Sequence, residues 1–399
     1  NTSKKFIIIL VKRRDMERYV FNNCAFLGTG ARNCLPEELK KRDYHKVLLV
    51  SDENIIKSGV LEKISYLLEE NNVKYMVFSN IKPNPTVENV QNGLKVFKKF
   101  KPNVIVAVGG GSVIDCAKAI SVIATNKQHQ DVLSLAGTVN TKNKAFPLIA
   151  MPTTSGTAAE VTINYVITDE KTKRKLVCVD PNDVPIMSIV DSELMRTMPP
   201  SLTASTGMDA LTHAIESLIT KGATDMSDMF ALEAIKMIAK YLERACIDGN
   251  DMEAREKMAY AQYVVGMGFS AVGLGIVHSM AHALGGRKDI AHGTANAILL
   301  PTVMQYNAQS PSKRKYRLIA ECFGVDTRDK TDDECVKIAV REVKKLSKHV
   351  GIPKSLGEVG VVEGDIELLS QDAFVDICTG GNPRETSVED IKKLYKSLI

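Results

Sequence analysis

The sequence predicts an α/β domain built on a doubly wound parallel sheet, followed by an all-helical domain. Two observations carry this prediction. In the first half of the chain, compact runs of Val, Ile and Leu alternate with helical periodicities, and continuous apolar runs are typical of strands buried on both faces. After Met198-Pro199-Pro200, strand signals almost vanish and long helical periodicities take over, so the double proline marks a domain boundary.

The first half supplies the elements of a Rossmann-like α/β domain, which we place at residues 1–198. Strands are predicted at residues 46–52, 74–79 and 103–108, and each is followed by a helical periodicity, the last two at 86–99 and from about 113. Further strand candidates lie at 145–152, 160–167, 174–180 and 186–191. We interpret residues 1–15, which contain the apolar run FIIILV, as an extension or tag remnant or as a further strand.

The second half, residues 199–399, is predicted to be all helical. Helical periodicities extend over residues 201–220, 225–247, 252–285, 293–308, 311–323 and 332–349, with shorter ones towards the end.

Composition and charge argue against several classes of protein. Of the formal net charge of +5, residues 1–20 carry +4, so the body of the chain is nearly neutral. With aromatic residues at 6%, this leaves little support for nucleic-acid binding. The eight scattered cysteines suggest no disulfide framework and fit a reducing compartment. Apolar runs stay well below the roughly 20 residues of a membrane span, so we expect a cytoplasmic protein without a membrane partner.

The segment VIVAVGGGSVIDCAKAI over residues 104–120 combines a strand, three glycines and the start of a helix. Gly109, Gly110 and Gly111 would let the backbone approach a ligand and take positive φ, and N–H groups at the helix N-terminus would attract a pyrophosphate. Ser112 and Asp115 form a capping-box-like pair. The segment lacks the G-x-G-x-x-G fingerprint, and a tight strand-to-helix turn is the alternative.

Two other polar positions fit the same cofactor. Asp52 ends the first strand, where an acid can bind ribose hydroxyls and repel a 2′-phosphate, which favours NAD; a helix cap is the alternative. The loop PTTSGTAAE places Thr153, Thr154, Ser155 and Thr157 directly after a predicted strand, where they could line the cofactor or cap the next element.

Four of the seven histidines lie between residues 213 and 292. His278 and His282 have i, i+4 spacing and would share one face of a helix, and Asp209 and His213 repeat that spacing. Together with His292 they predict a site for Zn²⁺, Fe²⁺, Co²⁺ or Mn²⁺. Hydrogen-bonded core histidines are the alternative, and spacing alone does not separate metal ligands from a residue that handles protons.

These residues lie in blocks that resemble the iron-dependent (group III) alcohol dehydrogenases. The blocks are GGGSVIDCAK, PTTSGTAAEVTINYVITDE, KLVCVDPND, MPPSLTASTGMDALTHAIE, GMGFSAVGLGIVHSMAHALG, HGTANAILLP and CTGGNPRE. They occur in order from roughly Asn22 to the C-terminus, so the resemblance is highly specific. One departure is Ala291, which stands where the family usually has proline before His292.

The resemblance implies roles for individual residues. It makes Asp209, His213, His278 and His292 ligands of a divalent metal, Fe²⁺ with Zn²⁺ as the alternative, and His282 a non-ligand that moves the alcohol proton. It assigns NAD to Asp52, Asn84, Gly110, Gly111, Ser112, Thr153, Thr154 and Lys175. It places the substrate near Asn164, Phe269, Leu274 and Cys378, and it suggests a homodimer.

The resemblance also implies hydride transfer between NAD(H) and a short-chain alcohol or aldehyde. The VTINYVITDE and VCVDP blocks favour a vicinal diol, lactaldehyde or 1,2-propanediol, over another primary alcohol or 1,3-propanediol. A lyase similar to dehydroquinate synthase is a remote alternative, since its phosphorylated, carboxylated substrate needs basic residues that segments 207–217 and 266–285 lack. A redox sensor or scaffold that uses the cysteines is the non-enzymatic alternative.

Overall fold

The computed structural model describes residues 18–399 and confirms the predicted architecture, an α/β domain followed by a helical one. The interpretation of residues 1–15 falls outside the described residues. The strands are β1 (Cys24–Leu27), β2 (Lys46–Val50), β3 (Lys74–Phe78), β4 (Val104–Gly109), β5 (Gly137–Thr138), β6 (Leu148–Pro152), β7 (Asn164–Asp169), β8 (Arg174–Val179) and β9 (Met187–Val190). The helices of this half are α1 (Leu35–Lys41), α2 (Glu53–Lys57), α3 (Val60–Glu70), α4 (Val87–Phe100) and α5 (Gly111–Thr125).

Six strands form a parallel sheet in the order β1-β9-β6-β4-β2-β3. Its two faces are both buried, which is why the strands have continuous apolar sequences. On β2, Val47 and Leu49 belong to the apolar cluster on one face, while Leu48 and Val50 belong to the cluster on the other. Strand β1 was not predicted; it pairs with β9 at the edge of the sheet.

Two of the four additional strand candidates leave the main sheet. Strands β7 and β8 pair antiparallel, and β5 joins β8 to complete a separate three-stranded sheet. This small sheet packs against α5 through β7 and against the helical half through β8. It therefore forms one wall between the two halves of the molecule.

The helical half contains α6 (Pro200–Ile219), α7 (Asp225–Ile247), α8 (Met252–Val272), α9 (Ile276–Lys288), α10 (His292–Asn307), α11 (Tyr316–Cys322), α12 (Asp332–His349), α13 (Ile366–Phe374) and α14 (Val388–Lys396). The prediction of one helix over residues 252–285 is wrong. The chain breaks between α8 and α9, which meet at 102°. Gly273 has φ +76° at this break, a conformation that glycine adopts without steric cost.

No single helix within residues 18–399 has the length and apolarity to cross a membrane. Helices α8 and α9 pass that test only as a bent pair, by length and composition.

The domain boundary predicted at residue 198 stays a prediction. Residues of the two halves contact each other across it. Ala158, Val161 and Val190 of the first half belong to the apolar core of the helical half. Asp372 of α13 accepts hydrogen bonds from both Arg174 of β8 and Arg287 of α9. The ends of β8 and α9 are thereby held together beside the cleft.

Candidate metal and cofactor cleft

A cavity of about 440 Å³ lies between the small sheet, the N-terminus of α5 and the helical half. Its lining includes the predicted metal and proton-handling residues Asp209, His213, His278, His282 and His292. It also includes the cofactor positions Asn84, Gly111, Ser112, Thr157 and Lys175. The substrate positions Asn164, Phe269, Leu274 and Cys378 complete the set. Of the described residues with predicted roles, Asp52, Gly109, Gly110, Thr153, Thr154 and Ser155 lie outside this lining.

Three of the predicted ligands converge on one point. Asp209 Oδ1 lies 3.6 Å from His292 Nε2 and 3.9 Å from His278 Nε2, and one ligand atom from each residue lies within 4.8 Å of the others. An ion bound tetrahedrally at about 2.1 Å holds its ligand atoms about 3.4 Å apart. These three side chains belong to α6, α9 and α10. Their ligand atoms therefore lie at nearly the spacing that a small divalent cation requires.

His213 lies beside these three residues, one helical turn after Asp209. Its Nδ1 is 4.0 Å from Asp209 Oδ2, and its ring stacks on Phe269 with centroids 4.3 Å apart. This Nδ1 is buried without a hydrogen-bond partner among the described residues. If this nitrogen carries a lone pair, a cation next to the carboxylate would complete its coordination. His213 as fourth ligand stays a prediction.

Burial sets the protonation of the cluster. It lowers the pKa of His213 and His292 well below the usual value, and their neighbours, the other histidines and for His292 also Lys175, lower both further. Both imidazoles are therefore neutral at pH 7 and can present a lone pair to a metal. Burial also raises the pKa of Asp209, against the opposing influence of His278 and the Asn296 amide. A bound cation would remove the cost of this buried carboxylate charge.

Glu216 is a functional residue that the sequence reasoning missed. Its carboxylate accepts the backbone N–H groups of Gly275 at 3.1 Å and Val277 at 2.8 Å, and it lies 2.7 Å from His278 Nδ1. Since a carboxylate accepts, His278 carries its proton on Nδ1 and its lone pair on Nε2, the atom that faces Asp209. A Cβ on Gly275 would lie 2.8 Å from Glu216 Oε1, so the glycine permits this approach.

His282 has a carboxylate partner of its own. Its Nδ1 lies 2.9 Å from Asp376 Oδ2, and Asp376 Oδ1 accepts the backbone N–H of Cys378 at 2.9 Å. Burial opposes ionisation of Asp376, but His282 and the Cys378 N–H outweigh it and lower the pKa of this carboxyl. The pair leaves Nε2 of His282 available for proton transfer. Asp376 was not predicted.

The carboxyl ends of three neighbouring strands form the cofactor side of the cleft. Thr153, after β6, donates its backbone N–H to Gly109 at the end of β4, at 3.0 Å. The prediction of positive φ at Gly109, Gly110 and Gly111 is wrong. Glycine is needed here for space, because a Cβ on Gly111 would lie 2.6 Å from Thr157 Cγ2 and one on Gly110 would lie 3.2 Å from Thr154 Cγ2.

The capping box predicted for Ser112 and Asp115 is also wrong. Helix α5 begins at Gly111 with Gly110 as its N-cap, two residues too early for Ser112 to cap it. Asp115 instead accepts the backbone N–H of Val166 at 3.0 Å, which ties α5 to the small sheet. Burial raises the pKa of Asp115 to about 6.

Asp52 is the N-cap of α2, which was the alternative to its predicted role in ribose binding. Its Oδ1 accepts the backbone N–H groups of Asn54 at 2.7 Å and Ile55 at 3.1 Å. The residue follows β2, which pairs with β4, so it lies at the same edge of the sheet as the glycine loop. Capping and ribose binding use different lone pairs of one carboxylate and are compatible.

A polar bridge joins the two halves near the metal cluster. Lys175 Nζ donates to Asn84 Oδ1 at 2.8 Å, and Asn84 Nδ2 donates to Asp289 Oδ1 at 2.8 Å. Burial lowers the pKa of Lys175 to about 8. Between Asp289 and His292, Ala291 has φ −56° and ψ 127°, which are values that proline adopts. The alanine therefore keeps the path of a proline-containing loop.

The arrangement is that of a metal-dependent oxidoreductase. The model of the iron-containing alcohol dehydrogenase family matches residues 23–192, and the C-terminal model of the same family matches residues 203–399. The chain belongs to the iron-containing alcohol dehydrogenase family.

Individual relatives resemble nearly the whole chain. It is 47% identical to lactaldehyde reductase of Escherichia coli K12 over 378 residues, which cover 95% of this chain and 98% of that protein. It is 37% identical to NAD-dependent methanol dehydrogenase of Bacillus methanolicus over 384 residues, 96% of this chain and 100% of the other. The crystal structure of a 1,3-propanediol oxidoreductase superposes with a TM-score of 0.93 at 38% identity, covering 96% of this chain and 100% of that one.

Proposed function

We propose that this enzyme transfers hydride between NAD(H) and a short-chain alcohol or aldehyde, with lactaldehyde and 1,2-propanediol as its substrate pair. One observation carries the proposal. The Asp209, His278 and His292 cluster and the glycine-loop residues Gly111 and Ser112 line the same cavity. The 47% identity to lactaldehyde reductase supports the choice of substrate. That the enzyme is a homodimer is a further part of the proposal, and it depends on the family resemblance alone.

The metal would be held by Asp209, His213, His278 and His292. A divalent cation, Fe²⁺ by family and Zn²⁺ as the alternative, supplies Lewis acidity towards the substrate oxygen when bound. His282 would accept the alcohol proton in oxidation and return it in reduction, on the Nε2 that its contact with Asp376 leaves free. These roles divide the imidazoles into ligands and one acid–base group.

NAD would extend from the edge of the main sheet into the cavity. Asp52 would accept the ribose hydroxyls, and the backbone N–H groups at Gly110, Gly111 and Ser112 would bind the pyrophosphate. The remaining proposed contacts are Asn84, Thr153, Thr154, Thr157 and Lys175. Lys175 already donates to Asn84, and Thr154 and Thr157 lie against Gly110 and Gly111, which supports one continuous binding surface.

The substrate end of the cavity combines apolar and polar side chains. Phe269 and Leu274 of the helical half are buried there, and Asn164 and the Cys378 thiol are its nearby polar groups. Burial raises the pKa of Cys378 well above its usual value, so this thiol stays protonated. Such walls fit a two- or three-carbon aldehyde. The 38% identity to a 1,3-propanediol oxidoreductase supports 1,3-propanediol as the second candidate.

The residues that line the cavity also argue against a lyase similar to dehydroquinate synthase. Among the described residues that line the cavity, Lys175 is the only lysine or arginine. A phosphorylated, carboxylated substrate needs several such cations for its negative charges.

The substrate proposal predicts a rank order of aldehydes. Anaerobically prepared, Fe²⁺-loaded protein is assayed for NADH oxidation with lactaldehyde, glycolaldehyde, 3-hydroxypropionaldehyde, propionaldehyde and acetaldehyde. We expect the highest kcat/KM with lactaldehyde, because the family blocks around Asn164 match the vicinal-diol branch. A higher value with 3-hydroxypropionaldehyde would favour the second candidate. Absence of NADH oxidation with all five would contradict a dehydrogenase function.

The cofactor proposal predicts that Asp52→Ser relaxes the preference for NADH. Serine still caps α2 but carries no charge, so the helix is preserved while the repulsion of a 2′-phosphate is lost. We expect the ratio of kcat/KM for NADPH to that for NADH to rise about tenfold or more, which corresponds to about 1.4 kcal/mol. Thermal unfolding serves as the control for folding. An unchanged ratio would remove Asp52 from the cofactor site.

A further inference from the structure

Asn296 of α10 points its side-chain amide at the proposed metal ligands. It follows His292 by one helical turn and is fully buried. Its Nδ2 lies 2.6 Å from Asp209 Oδ1, 3.2 Å from His292 Nε2 and 3.3 Å from His278 Nε2. Three atoms that would bind a cation therefore surround one N–H₂ group.

The orientation of this amide follows from the lone pairs around it. His278 carries its proton on Nδ1, next to Glu216, so its Nε2 can only accept. An amide oxygen in the place of Nδ2 would face this lone pair and a carboxylate oxygen. The Asn296 Oδ1 atom points away from the cluster, is buried and accepts no hydrogen bond from the described residues. Leaving such an oxygen unpaired costs free energy, which the N–H contacts to the cluster must offset.

We propose that Asn296 is a positioning residue of the metal site. Through its two N–H groups it holds Asp209 and the imidazole lone pairs of His278 and His292 together before the metal binds. The amide lies beside the same three atoms that would bind the cation, so its N–H₂ group turns away from them as the metal binds. Each Nε2 has one lone pair, which the amide then releases. The inference depends on the proposed metal site.

The chemistry at this position is specific to an amide. Aspartate would place a second carboxylate within hydrogen-bond distance of Asp209, and the two charges would repel each other in a buried site. Alanine would leave the Asp209 oxygen without its donor and create a small cavity. Both changes remove the orientation of the carboxylate while leaving the four proposed ligands in the chain.

The test measures Zn²⁺ affinity, by chelator competition, on demetallated protein. We expect Asn296→Ala to weaken Zn²⁺ binding about 10- to 100-fold, the usual effect of removing a group that orients a metal ligand. Asn307→Ala is the matched control, because Asn307 is a buried amide on the same helix that pairs with Asn382 instead. Zn²⁺ affinity of Asn296→Ala equal to that of the wild type would overturn the inference, as would equal weakening by Asn307→Ala.

A second variant keeps the volume of the side chain. Asn296→Asp should lower the Tm of the metal-free protein, and Zn²⁺ should raise its Tm by more than it raises that of the wild type. Equal metal-free Tm values for Asn296→Asp and the wild type would contradict the proposed contact with Asp209. Asp209→Ala separates the two proposals. If it binds Zn²⁺ normally, the metal site itself is wrong, whereas loss in Asp209→Ala with retention in Asn296→Ala refutes only the role of Asn296.

Discussion

Asp209→Ala is expected to remove the metal and to lower kcat/KM for aldehyde reduction by about a thousandfold or more. Asp209 is the one anionic member of the cluster, and its Oδ1 approaches both His278 and His292. Its loss leaves neutral imidazoles to hold a divalent cation. Lewis-acid stabilisation is worth several kcal/mol, and each 1.36 kcal/mol corresponds to tenfold in rate. Elemental analysis of anaerobically purified protein and steady-state rates of NADH oxidation provide the measurements.

Two histidine variants complete this experiment. His349→Ala removes an imidazole that is paired with Glu243 at the surface, so metal content and rate should match the wild type. His213→Ala should lose metal as Asp209→Ala does if His213 is the fourth ligand. Full metal occupancy in Asp209→Ala would contradict the assignment of the site.

The parts of the fold that the sequence predicted correctly are those that local periodicity specifies. Buried parallel strands such as β4 have continuous apolar runs, and α6 and α7 have clear starts and ends, so their predicted bounds are close to the observed ones. The break between α8 and α9 was missed because the apolar periodicity continues through residues 273–275. Only the glycines mark it, and glycine also occurs inside helices at close contacts. The pairing of β7 with β8 depends on tertiary packing.

In the candidate site too, local spacing could be predicted from the sequence and tertiary contacts could not. The spacing of Asp209 with His213 and of His278 with His282 identified the cluster, because i, i+4 residues share a helical face whatever the tertiary structure. Glu216 had a signal of this kind, since it follows His213 by three residues on the same helix, and Asn296 had one through its spacing from His292. Their partners, however, are 62 and 87 residues away, so their roles could not be predicted without the fold.

Asp376 had no local signal at all. It lies 94 residues from His282, after the C-terminus of α13, and caps a short turn that ends in the substrate region. Sequence reasoning identified Cys378 next to it but not the carboxylate that holds the imidazole. A residue that acts through a distant partner becomes visible only when both positions are known in space.

His282→Ala is expected to lower kcat about 10²- to 10⁴-fold, the usual contribution of a positioned acid–base group, with metal content unchanged. His282 does not belong to the convergent group of Asp209, His278 and His292; its ligand atoms converge with those of Asp376 and Cys378 instead, so the metal cluster does not need it. Asp376→Ala should lower kcat less, because the imidazole remains but loses the partner that holds its Nδ1 proton. Asp376→Asn should fall between Asp376→Ala and the wild type, since its amide oxygen can still accept that proton. Loss of metal in His282→Ala would show that His282 is a ligand.

The double variant decides whether Asp376 acts through His282. If the only contribution of Asp376 to catalysis is to orient that imidazole, the kcat of His282→Ala with Asp376→Ala should equal that of His282→Ala alone. Independent effects would instead multiply. Multiplied losses would indicate that Asp376 contributes mainly by fixing the loop at Cys378, whose backbone N–H it accepts, and a raised KM for the aldehyde should then accompany them. An unchanged KM together with non-multiplied losses would establish the carboxylate–imidazole pair as one functional unit.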